Sequence, residues 1–492
     1  MSIVIQRIVR GGAGFLTANL IRKGLGFVFV VAAGSILGVK QFGILALALS
    51  IIAVAQNLAV FGLPNTIQRF LSGEGEEDAQ ALYGTIQIVG LVASVVCCGI
   101  FYWAAPWISS TFFSEPLLTA PFRILAFGML FGVPYTLVRS VLQAQEAVGL
   151  IVKADALQTA SKVVFFLMLA IFVPSAVAAA WAIVLSLVVS LGLALWYLRR
   201  VTIRPVFAPL RRHLGTVLRY STPLAIVSFG PLVVHQADRL MLGALADASA
   251  VGLYALASSL AVVLGTLHNS LVSVFMPIAS QAYRNKASDD IEASYLFISK
   301  WIGLANGLLL IVFVGLGHEV LSIVGQEFAT TESYHVLLML TAFYFFATWV
   351  GPTGALLRMS DGQHVELINT VVFIAANVIL NYFLITWLGV FGAALATLCS
   401  GILLNVLQVI EIVYRNKFLP VTWKHVEILV IIAVGFCLCL FIDMGPSVRA
   451  VLSVLVAGAI GLYAVYTMTD TEKRLVKSFA TKMRTRFRLT VL

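Results

Sequence analysis

Long apolar runs follow one another along almost the whole chain, separated by short polar stretches that often contain Pro or Gly. A helix needs about 20 mainly apolar residues to cross the hydrocarbon layer of a bilayer, where every backbone polar group must be satisfied internally. The pattern therefore predicts about fourteen membrane-spanning helices. The predicted spans are residues 15–38, 42–64, 81–104, 122–145, 154–174, 176–198, 222–244, 249–277, 294–316, 334–357, 365–387, 390–414, 426–443 and 447–468.

The linkers between the predicted spans are short, and none of them is long enough to form a separate soluble domain. Residues 1–14 contain basic side chains, and the first span lacks an A-x-A-like cleavage site. We therefore expect the first span to be a retained membrane helix and not a signal peptide that is removed.

Composition supports a membrane protein and excludes several other classes. Of the 492 residues, 60% are hydrophobic and 11% are charged, whereas a soluble domain carries about 25% charged residues. The five cysteines lie in apolar runs and form no C-x-x-C pair, so they indicate neither a disulfide framework nor a metal site. A soluble enzyme, a secreted disulfide scaffold and a disordered protein are excluded.

The net charge of +10 mainly indicates orientation. With an even number of crossings both termini fall on one side, and most of the 32 Lys and Arg residues lie on that side. The opposite side has only Lys40, Arg123 and Arg449. Since cytoplasmic loops are enriched in Lys and Arg, we expect a multi-pass protein of the cell (inner or plasma) membrane with both termini cytoplasmic.

Spans 1–6 and 7–12 resemble each other. The segment FGILALA at residues 42–48 opens span 2, and VGLYALA at residues 251–257 opens span 8. The dipeptide Leu-Gly closes span 1 at residues 37–38 and span 7 at residues 242–243. The repeat predicts an all-α polytopic fold with two six-helix lobes in the same orientation and two extra C-terminal helices. The predicted units are an N-lobe at 1–200, a basic cytoplasmic linker at 201–221, a C-lobe at 222–418, helices 13 and 14 at 419–470, and a basic cytoplasmic tail at 471–492.

Several ionisable residues lie inside the predicted spans, where a charge costs at least about 2.5 kcal/mol at the helix centre. Asp238 is the one acid that lies well inside a span. Buried cations need anionic partners, so the balance indicates an anionic ligand such as a phosphate or pyrophosphate, which Arg and Lys bind well. An exporter of organic cations would show the opposite balance. The six cations are Arg22, Lys23, Arg139, Lys162, Arg239 and Lys300.

Other interpretations of these charges stay open. Arg139 and Lys300 lie near span ends, where a long side chain can extend to the headgroups. Asp238 and Arg239 could instead hold span 7 to a neighbouring helix. His235 lies three and four positions before that pair, on an adjoining side of the helix, and its role is left undecided.

Helix-breaking residues occur in span 7 at Pro231 and in span 10 at Gly351-Pro352. Proline removes a backbone hydrogen bond and permits kinks, which are static in many membrane helices. The alternative is a hinge at Pro231, Gly351 and Pro352 that lets one lobe move against the other.

No Walker A loop, H-E-x-x-H motif, nucleophile elbow or dinucleotide fingerprint occurs in the chain. We therefore predict no catalytic residues, no metal site and no cofactor, and a protein that is not an enzyme. Energy for transport would come from an ion gradient, the membrane potential or a downstream reaction.

Short motifs in both lobes resemble one membrane protein family. Residues 37–38 and 42–48 follow a first span that contains Arg-Lys at 22–23, and ADRLMLG at 237–243 is followed by VGLY at 251–254. On these residues the chain resembles a polysaccharide or oligosaccharide flippase of the multidrug/oligosaccharidyl-lipid/polysaccharide exporter superfamily. The resemblance implies two six-helix lobes around a central cavity, plus two helices.

The resemblance also implies a function and a site. Such proteins move lipid-linked saccharides, for example polyprenyl-pyrophosphate oligosaccharides, from the cytoplasmic to the outer leaflet for cell-surface polysaccharide biosynthesis. Arginines of helices 1 and 7 would contact the pyrophosphate, which carries over to Arg22, with Lys23 beside it, and to Arg239. The expected coupling or gating residues are Asp238 and His235, and Lys162, Lys300 and Arg139 are further candidates for pyrophosphate binding.

The expected partners are a lipid-linked oligosaccharide, membrane lipids and a polysaccharide polymerase or glycosyltransferases, with no nucleic acid. Two other functions compete with the flippase. One is a multidrug or cation antiporter of the same superfamily, which the sign of the interior charges disfavours. The other is a non-transporting membrane scaffold for glycan-synthesis enzymes, which would leave the interior cations without a role.

Overall fold

A computed structural model of the protein describes residues 2–71, 76–145, 147–199, 210–284, 288–360, 362–441, 446–466 and 468. For some of these residues, including 2–23 and 229–235, the description covers the backbone and not the side chain. Throughout the described ranges the regular structure is helical.

Within these described ranges the chain forms fourteen α-helices. The helices are α1 (Ser2–Val60), α2 (Leu63–Leu71), α3 (Glu76–Trp107), α4 (Thr119–Ala144), α5 (Val148–Ala170), α6 (Ala176–Leu198), α7 (Leu210–Leu245), α8 (Ala248–Arg284), α9 (Ser288–Val324), α10 (Thr331–Trp349), α11 (Thr353–Met359), α12 (Gln363–Asn416), α13 (Trp423–Phe441) and α14 (Pro446–Tyr466).

The two longest helices each contain a break at a glycine. Gly38 divides α1, with φ 69° and ψ 175°, and Gly389 divides α12, with φ 57° and ψ −132°. A continuous α12 of 54 residues would be roughly 80 Å long, far more than the hydrocarbon layer needs. Each broken helix therefore supplies two crossings, and the positive φ explains why glycine stands at both breaks.

The predicted number of membrane crossings is confirmed. Ten helical segments of the described residues are long and apolar enough to cross a membrane, and the two broken helices are among them. The remaining crossings are α5 and α7, which carry charged side chains such as Lys162, Asp238 and Arg239. The short α2 and α11 continue the helices before them after breaks at Gly62 and Gly351.

The helices pack as two lobes with an added pair. Helices α3, α4, α5 and α6 pack with one another and with α1, and α7 to α10 pack with one another and with α12. We call these groups the N-lobe and the C-lobe. The last two helices, α13 and α14, both pack against α9. This is the predicted fold of two six-helix lobes plus two helices, while the predicted residue limits of the lobes stay predictions.

The structure describes part of the predicted linker at 201–221, whose limits stay a prediction. Helix α7 begins at Leu210, so the second part of that linker is helical. The first part, 201–209, and the basic tail at 471–492 lie outside the described residues.

Contacts among the connecting segments define one end of the bundle, which we call the Gly38 end. The amide of Val39 donates to Glu327 Oε2 at 3.4 Å, Lys40 pairs with Glu115 at 3.0 Å, and the amide of Ala176 donates to Gln41 Oε1 at 3.1 Å. The lobes lie against each other here through α1 and α8. The topology derived from basic residues predicts that the Gly38 end faces the outside.

Exposed aromatic side chains occur at both ends of the bundle. Trp103 and Trp387, near the Gly38 end, are each 78% exposed, and Trp423 and Tyr466, at the opposite end, are 82% and 86% exposed. Tryptophan and tyrosine concentrate at the two interfaces of a bilayer. Their positions support a protein that spans the membrane.

Candidate functional site

The Asp238 carboxylate lies at the centre of a buried polar cluster inside the C-lobe. Its Oδ2 accepts hydrogen bonds from the Tyr254 hydroxyl and from Thr397 Oγ1, the latter at 2.8 Å. Its Oδ1 accepts from Asn381 Nδ2 at 2.8 Å. Asp238 is 6% exposed. Three helices, α7, α8 and α12, therefore contribute to one carboxylate.

The break at Gly389 assembles the α12 part of this cluster. Asn377 and Asn381 lie one turn apart before the break, and Thr397 and Ser400 lie after it. Asn381 Nδ2 also donates to Asn377 Oδ1 at 3.1 Å, and Asn377 Nδ2 donates to Ser400 Oγ at 3.3 Å. Because the chain reverses at the glycine, these amides and hydroxyls face each other. We call Asp238, Tyr254, Asn377, Asn381, Thr397 and Ser400 the Asp238 cluster.

One acceptor of the Asp238 cluster has no hydrogen-bond partner among the described residues. Asn381 is fully buried, and its Oδ1 is unsatisfied. An unsatisfied buried acceptor costs about 1–3 kcal/mol. Together with the carboxylate and the hydroxyls it forms an oxygen-only set, which suits a proton or a hard cation and not a thiolate-seeking metal. Among the described residues no group of three or more His, Cys, Asp and Glu could hold a metal ion.

Arg239 follows Asp238 but has a different partner. Its Nη2 donates to Ser258 Oγ on α8 at 2.8 Å. Successive residues of a helix point about 100° apart, so the acid and the base face different neighbours. The residue as a whole is half-buried in the C-lobe. It is placed to bind an anion that enters the lobe, and this role stays a prediction.

Arg139 of α4 pairs with an acidic residue that was not among the predicted site residues. Its Nη2 lies 3.3 Å from Asp155 Oδ2 on α5, and the Tyr135 hydroxyl donates to Asp155 Oδ1 at 2.6 Å. Asp155 stands at the edge of the predicted span 154–174, but α5 begins at Val148 and places it two turns inside. The inference that interior cations lack acidic partners is therefore wrong for Arg139.

Lys162 and Lys300 lie in different lobes. Lys162, on α5, is placed over the ring of Phe29 of α1, with Nζ 4.3 Å from the ring centroid. Lys300, on α9, is 6% exposed and lies 5.4 Å from the ring centroid of Trp301. Helix α9 packs against α13 and α14 at the edge of the C-lobe. The structure gives the two lysines no common site, and their roles as pyrophosphate ligands stay predictions.

Four further candidates have side chains outside the described residues. Arg22 and Lys23 belong to α1, and Pro231 and His235 belong to α7, but only their backbone is described. Their predicted roles in binding, coupling and hinge motion therefore stay predictions.

The predicted hinge in span 10 coincides with a helix break. Gly351 has φ +92° and separates α10 from α11, and Pro352 precedes the first residue of α11. A Cβ on Gly351 would lie 2.7 Å from Ser299 Cβ, so the site suits only glycine. Motion about this break stays a prediction.

Most of the Asp238 cluster was missed from the sequence. Tyr254, Asn377, Asn381, Thr397 and Ser400 are neutral, and neutral polar residues are common in membrane helices. One signal was present, because two asparagines four positions apart share a helix face in an otherwise apolar span.

Two relatives cover most of the chain. The protein is 22% identical over 515 residues to stage V sporulation protein B of Bacillus subtilis, with 96% of each chain covered. It is 24% identical over 426 residues to Agl15 of Haloferax volcanii, a probable low-salt glycan biosynthesis flippase, with 86% of each chain covered.

A solved structure shares the fold. The lipid II flippase MurJ in its inward closed conformation superposes with a TM-score of 0.72 over 90% of this chain and 97% of the other, at 12% identity.

Residues 8–283, more than half of the chain, match the family described as polysaccharide biosynthesis protein. The chain therefore belongs to the polysaccharide biosynthesis protein family.

Proposed function

We propose that this protein is a flippase that moves a polyprenyl-pyrophosphate-linked oligosaccharide from the cytoplasmic to the outer leaflet by alternating access. The observation that carries the proposal is the placement of Arg239 and the Asp238 cluster inside the membrane-spanning C-lobe. A chain that spans the membrane in two lobes and keeps such groups in its interior is built to handle a polar solute there.

The sign of the interior charge favours an anionic head group. Arg239 donates to a neutral serine, and Lys162 lies over an aromatic ring, so neither of these described contacts uses an anion. A pyrophosphate supplies the oxygens that guanidinium and ammonium groups bind best. Arg139 no longer supports this step, because Asp155 already pairs with it.

The relatives support a saccharide attached to a lipid. The Haloferax protein is named a probable low-salt glycan biosynthesis flippase, and the structural neighbour is a lipid II flippase. A lipid-linked glycan has a polar head that cannot cross hydrocarbon unaided and a chain that can stay in it. The buried polar groups of the Asp238 cluster and the apolar outer surface of the bundle match these two parts.

We place the coupling step at Asp238. A proton or a monovalent cation bound there would neutralise the carboxylate and change its bonds to Tyr254, Asn381 and Thr397. These partners lie on α8 and on both parts of α12, so occupancy would alter how three helices pack. Alternating access requires a ligand that binds two conformations differently, and this rearrangement would supply the difference.

The orientation and the partners complete the proposal. The protein lies in the cell membrane with both termini in the cytoplasm. The enzymes that build the glycan act before the transport step, and those that polymerise it act after that step. The chain itself works as a transporter and not as an enzyme.

The test is translocation in proteoliposomes. A fluorescent polyprenyl-pyrophosphate oligosaccharide is loaded in both leaflets, and a membrane-impermeant glycosidase reports how fast the inner pool reaches the outside. Wild type and Arg123→Ala, whose guanidinium lies over Tyr102 near the Gly38 end, are expected to translocate it, and Arg239→Ala is not. Wild type that fails to translocate the lipid, or that exports an organic cation such as ethidium instead, would refute the proposal.

A further inference from the structure

A cavity of about 530 Å³ lies between the two lobes toward the Gly38 end. Its N-lobe wall includes Ile51 of α1 and Phe113, which follows α3. Its C-lobe wall includes Met241 and Leu245 of α7 and Tyr382 of α12. The volume lies within the range of small-molecule binding pockets. We call this cavity the seam pocket.

The walls of the seam pocket are hydrocarbon and aromatic. Apart from the Tyr382 hydroxyl and the Trp107 indole, no lining side chain carries a nitrogen or an oxygen atom. A sugar or a phosphate in such a pocket would lose its hydrogen bonds to water without replacement. The pocket therefore suits an apolar chain and does not suit a saccharide, a charged drug or a metal ion.

The seam pocket is open at the outer surface of the bundle. Trp107, Phe112 and Tyr382 line it and are 59%, 52% and 54% exposed. Exposed tryptophan and tyrosine side chains concentrate at the interfaces of a bilayer, so we expect this exposed surface to meet lipid chains. An apolar chain can reach the pocket sideways from the membrane without crossing water.

A π-helix shapes the N-lobe wall. Residues Ile108–Phe112 form this segment directly after α3, and Ile108 and Phe112 both line the pocket. Buried Ser109 anchors it, with Oγ 2.6 Å from Thr119 Oγ1 at the start of α4. Single π-turns are rare and occur frequently at functional sites. The segment is an independent indication that this wall has a function.

Helix α7 joins the seam pocket to the lobe interior. Arg239 points to Ser258, and the next two residues, Leu240 and Met241, line the pocket. At a rise of 1.5 Å per residue, Arg239 and Met241 are separated by about 3 Å along the helix axis. One short stretch of α7 therefore presents a cation to the interior and apolar side chains to the seam, which matches an amphiphile with an anionic head and a long chain.

We propose that the seam pocket binds the isoprene units next to the pyrophosphate of the lipid-linked oligosaccharide. The proposal rests on the proposed function. The head group of an ordinary phospholipid stays in the headgroup layer, so its chains need not enter a pocket between lobes. The transported lipid differs, because its head enters the lobes and the attached chain must leave them through the seam.

Because the seam pocket lies between the lobes, it also takes part in the release of the isoprene chain. Its walls belong to both lobes, so they separate when the lobes separate at the Gly38 end. The chain is then held while this end is closed and freed into the surrounding lipid when it opens. A binding site that exists in one conformation alone shifts the equilibrium toward that conformation.

Photolabelling tests the proposal directly. The probe is a polyprenyl-pyrophosphate oligosaccharide with a benzophenone on an isoprene unit near the pyrophosphate, added to wild-type protein in proteoliposomes. Mass spectrometry is expected to find the label on peptides containing Met241 or Phe112. An excess of unlabelled polyprenyl pyrophosphate should remove the label, and an excess of phosphatidylglycerol should not.

A pair of variants extends the test. The variant Ala244→Trp fills the pocket with its own side chain, so the isoprene units can no longer bury apolar area there. We therefore expect labelling and translocation to fall at least roughly tenfold. Val96→Trp, on the lipid-exposed surface of α3 outside the pocket, should match wild type. Size-exclusion elution shows whether both variants are folded.

The outcomes separate the two proposals. Label that phosphatidylglycerol removes equally well would mean that ordinary acyl chains fill the pocket, and label found elsewhere would also overturn the inference. If wild type translocates the substrate and the pocket stays unlabelled, only the seam pocket is wrong. If wild type does not translocate it, the proposed function fails whatever the labelling shows.

Discussion

Gly43 of α1 and Gly252 of α8 each lie against the backbone of the other's helix. The two glycines occupy equivalent positions in the two sequence repeats. A Cβ on Gly43 would lie 1.7 Å from the Ala248 carbonyl oxygen, and a Cβ on Gly252 would lie 2.2 Å from the Val39 carbonyl oxygen. Neither distance is possible for a real side chain. The lobes are therefore closed at the Gly38 end by backbone against backbone, which only glycine permits.

Gly43→Val is expected to force the lobes apart at the Gly38 end, because the added side chain overlaps the Ala248 carbonyl group. Spin labels at exposed Ser114 and Glu332, one in each lobe, should show a longer and broader distance distribution than in wild type. Gly99→Val is the matched control, since a Cβ at Gly99 meets nothing within 4 Å. An unchanged distribution in Gly43→Val would contradict the close contact.

Asp238→Asn is expected to lower translocation at least about tenfold, the order of a coupling free energy of 1–3 kcal/mol. The amide keeps the size of the carboxylate and one acceptor for Tyr254 or Thr397, so the protein should stay folded. Proteoliposome assays with and without an imposed ion gradient measure the effect. Asp247→Asn, at the cap of α8, removes a charge nearby and should behave as wild type. A gradient response retained in Asp238→Asn would exclude this site.

Arg139 and Asp155 are expected to stabilise the N-lobe and to take no part in transport. Arg139→Ala and Asp155→Ala should each destabilise the protein by roughly 1–3 kcal/mol, because a charged hydrogen-bonded group loses its partner. In a double-mutant cycle followed by thermal unfolding in detergent, the two losses should not add. Translocation per folded molecule should stay at the wild-type level, and a specific loss in Arg139→Ala would return this residue to the substrate site.

Lys162→Gln is expected to weaken binding of the lipid-linked substrate about tenfold, since one charge-assisted contact is lost. Lys153→Gln on the same helix is the control, because Lys153 is exposed and Lys162 lies over Phe29. Titration with polyprenyl pyrophosphate by native mass spectrometry measures both. Equal affinities in the two variants would show that Lys162 is a packing residue.

The span count could be predicted because the length of an apolar run is a property of local sequence. The turns at Gly38 and Gly389 agree with the predicted ends of spans 1 and 11. In each turn one glycine with non-helical φ and ψ angles separates the two helical parts, so no longer loop is needed. The length of α7 could not be predicted, because its basic first turns extend beyond the apolar stretch and a hydropathy pattern does not register them.

Only some residues of the candidate site stand out in the sequence, and there is a physical reason why the others do not. Asp238 and Arg239 were recognised because a charge in an apolar span is costly. Asn381 and Thr397 were not, because their importance depends on which helices meet, and the sequence alone does not give that information. The seam pocket carries no charge at all, so nothing in its residues distinguishes them from lipid-facing ones.

In the Asp238 cluster, the residue type that is tolerated at one position depends on the residues at positions far away in the sequence. A buried carboxylate that loses one donor keeps a desolvated charge with too few partners, so a substitution at Asp238, Asn381 or Thr397 is tolerated best when another changes with it. Among family members these three positions should therefore covary. Chains that have lost the acid together with its donors would form a recognisable group, and under the proposed coupling at Asp238 their transport would draw on another source of energy.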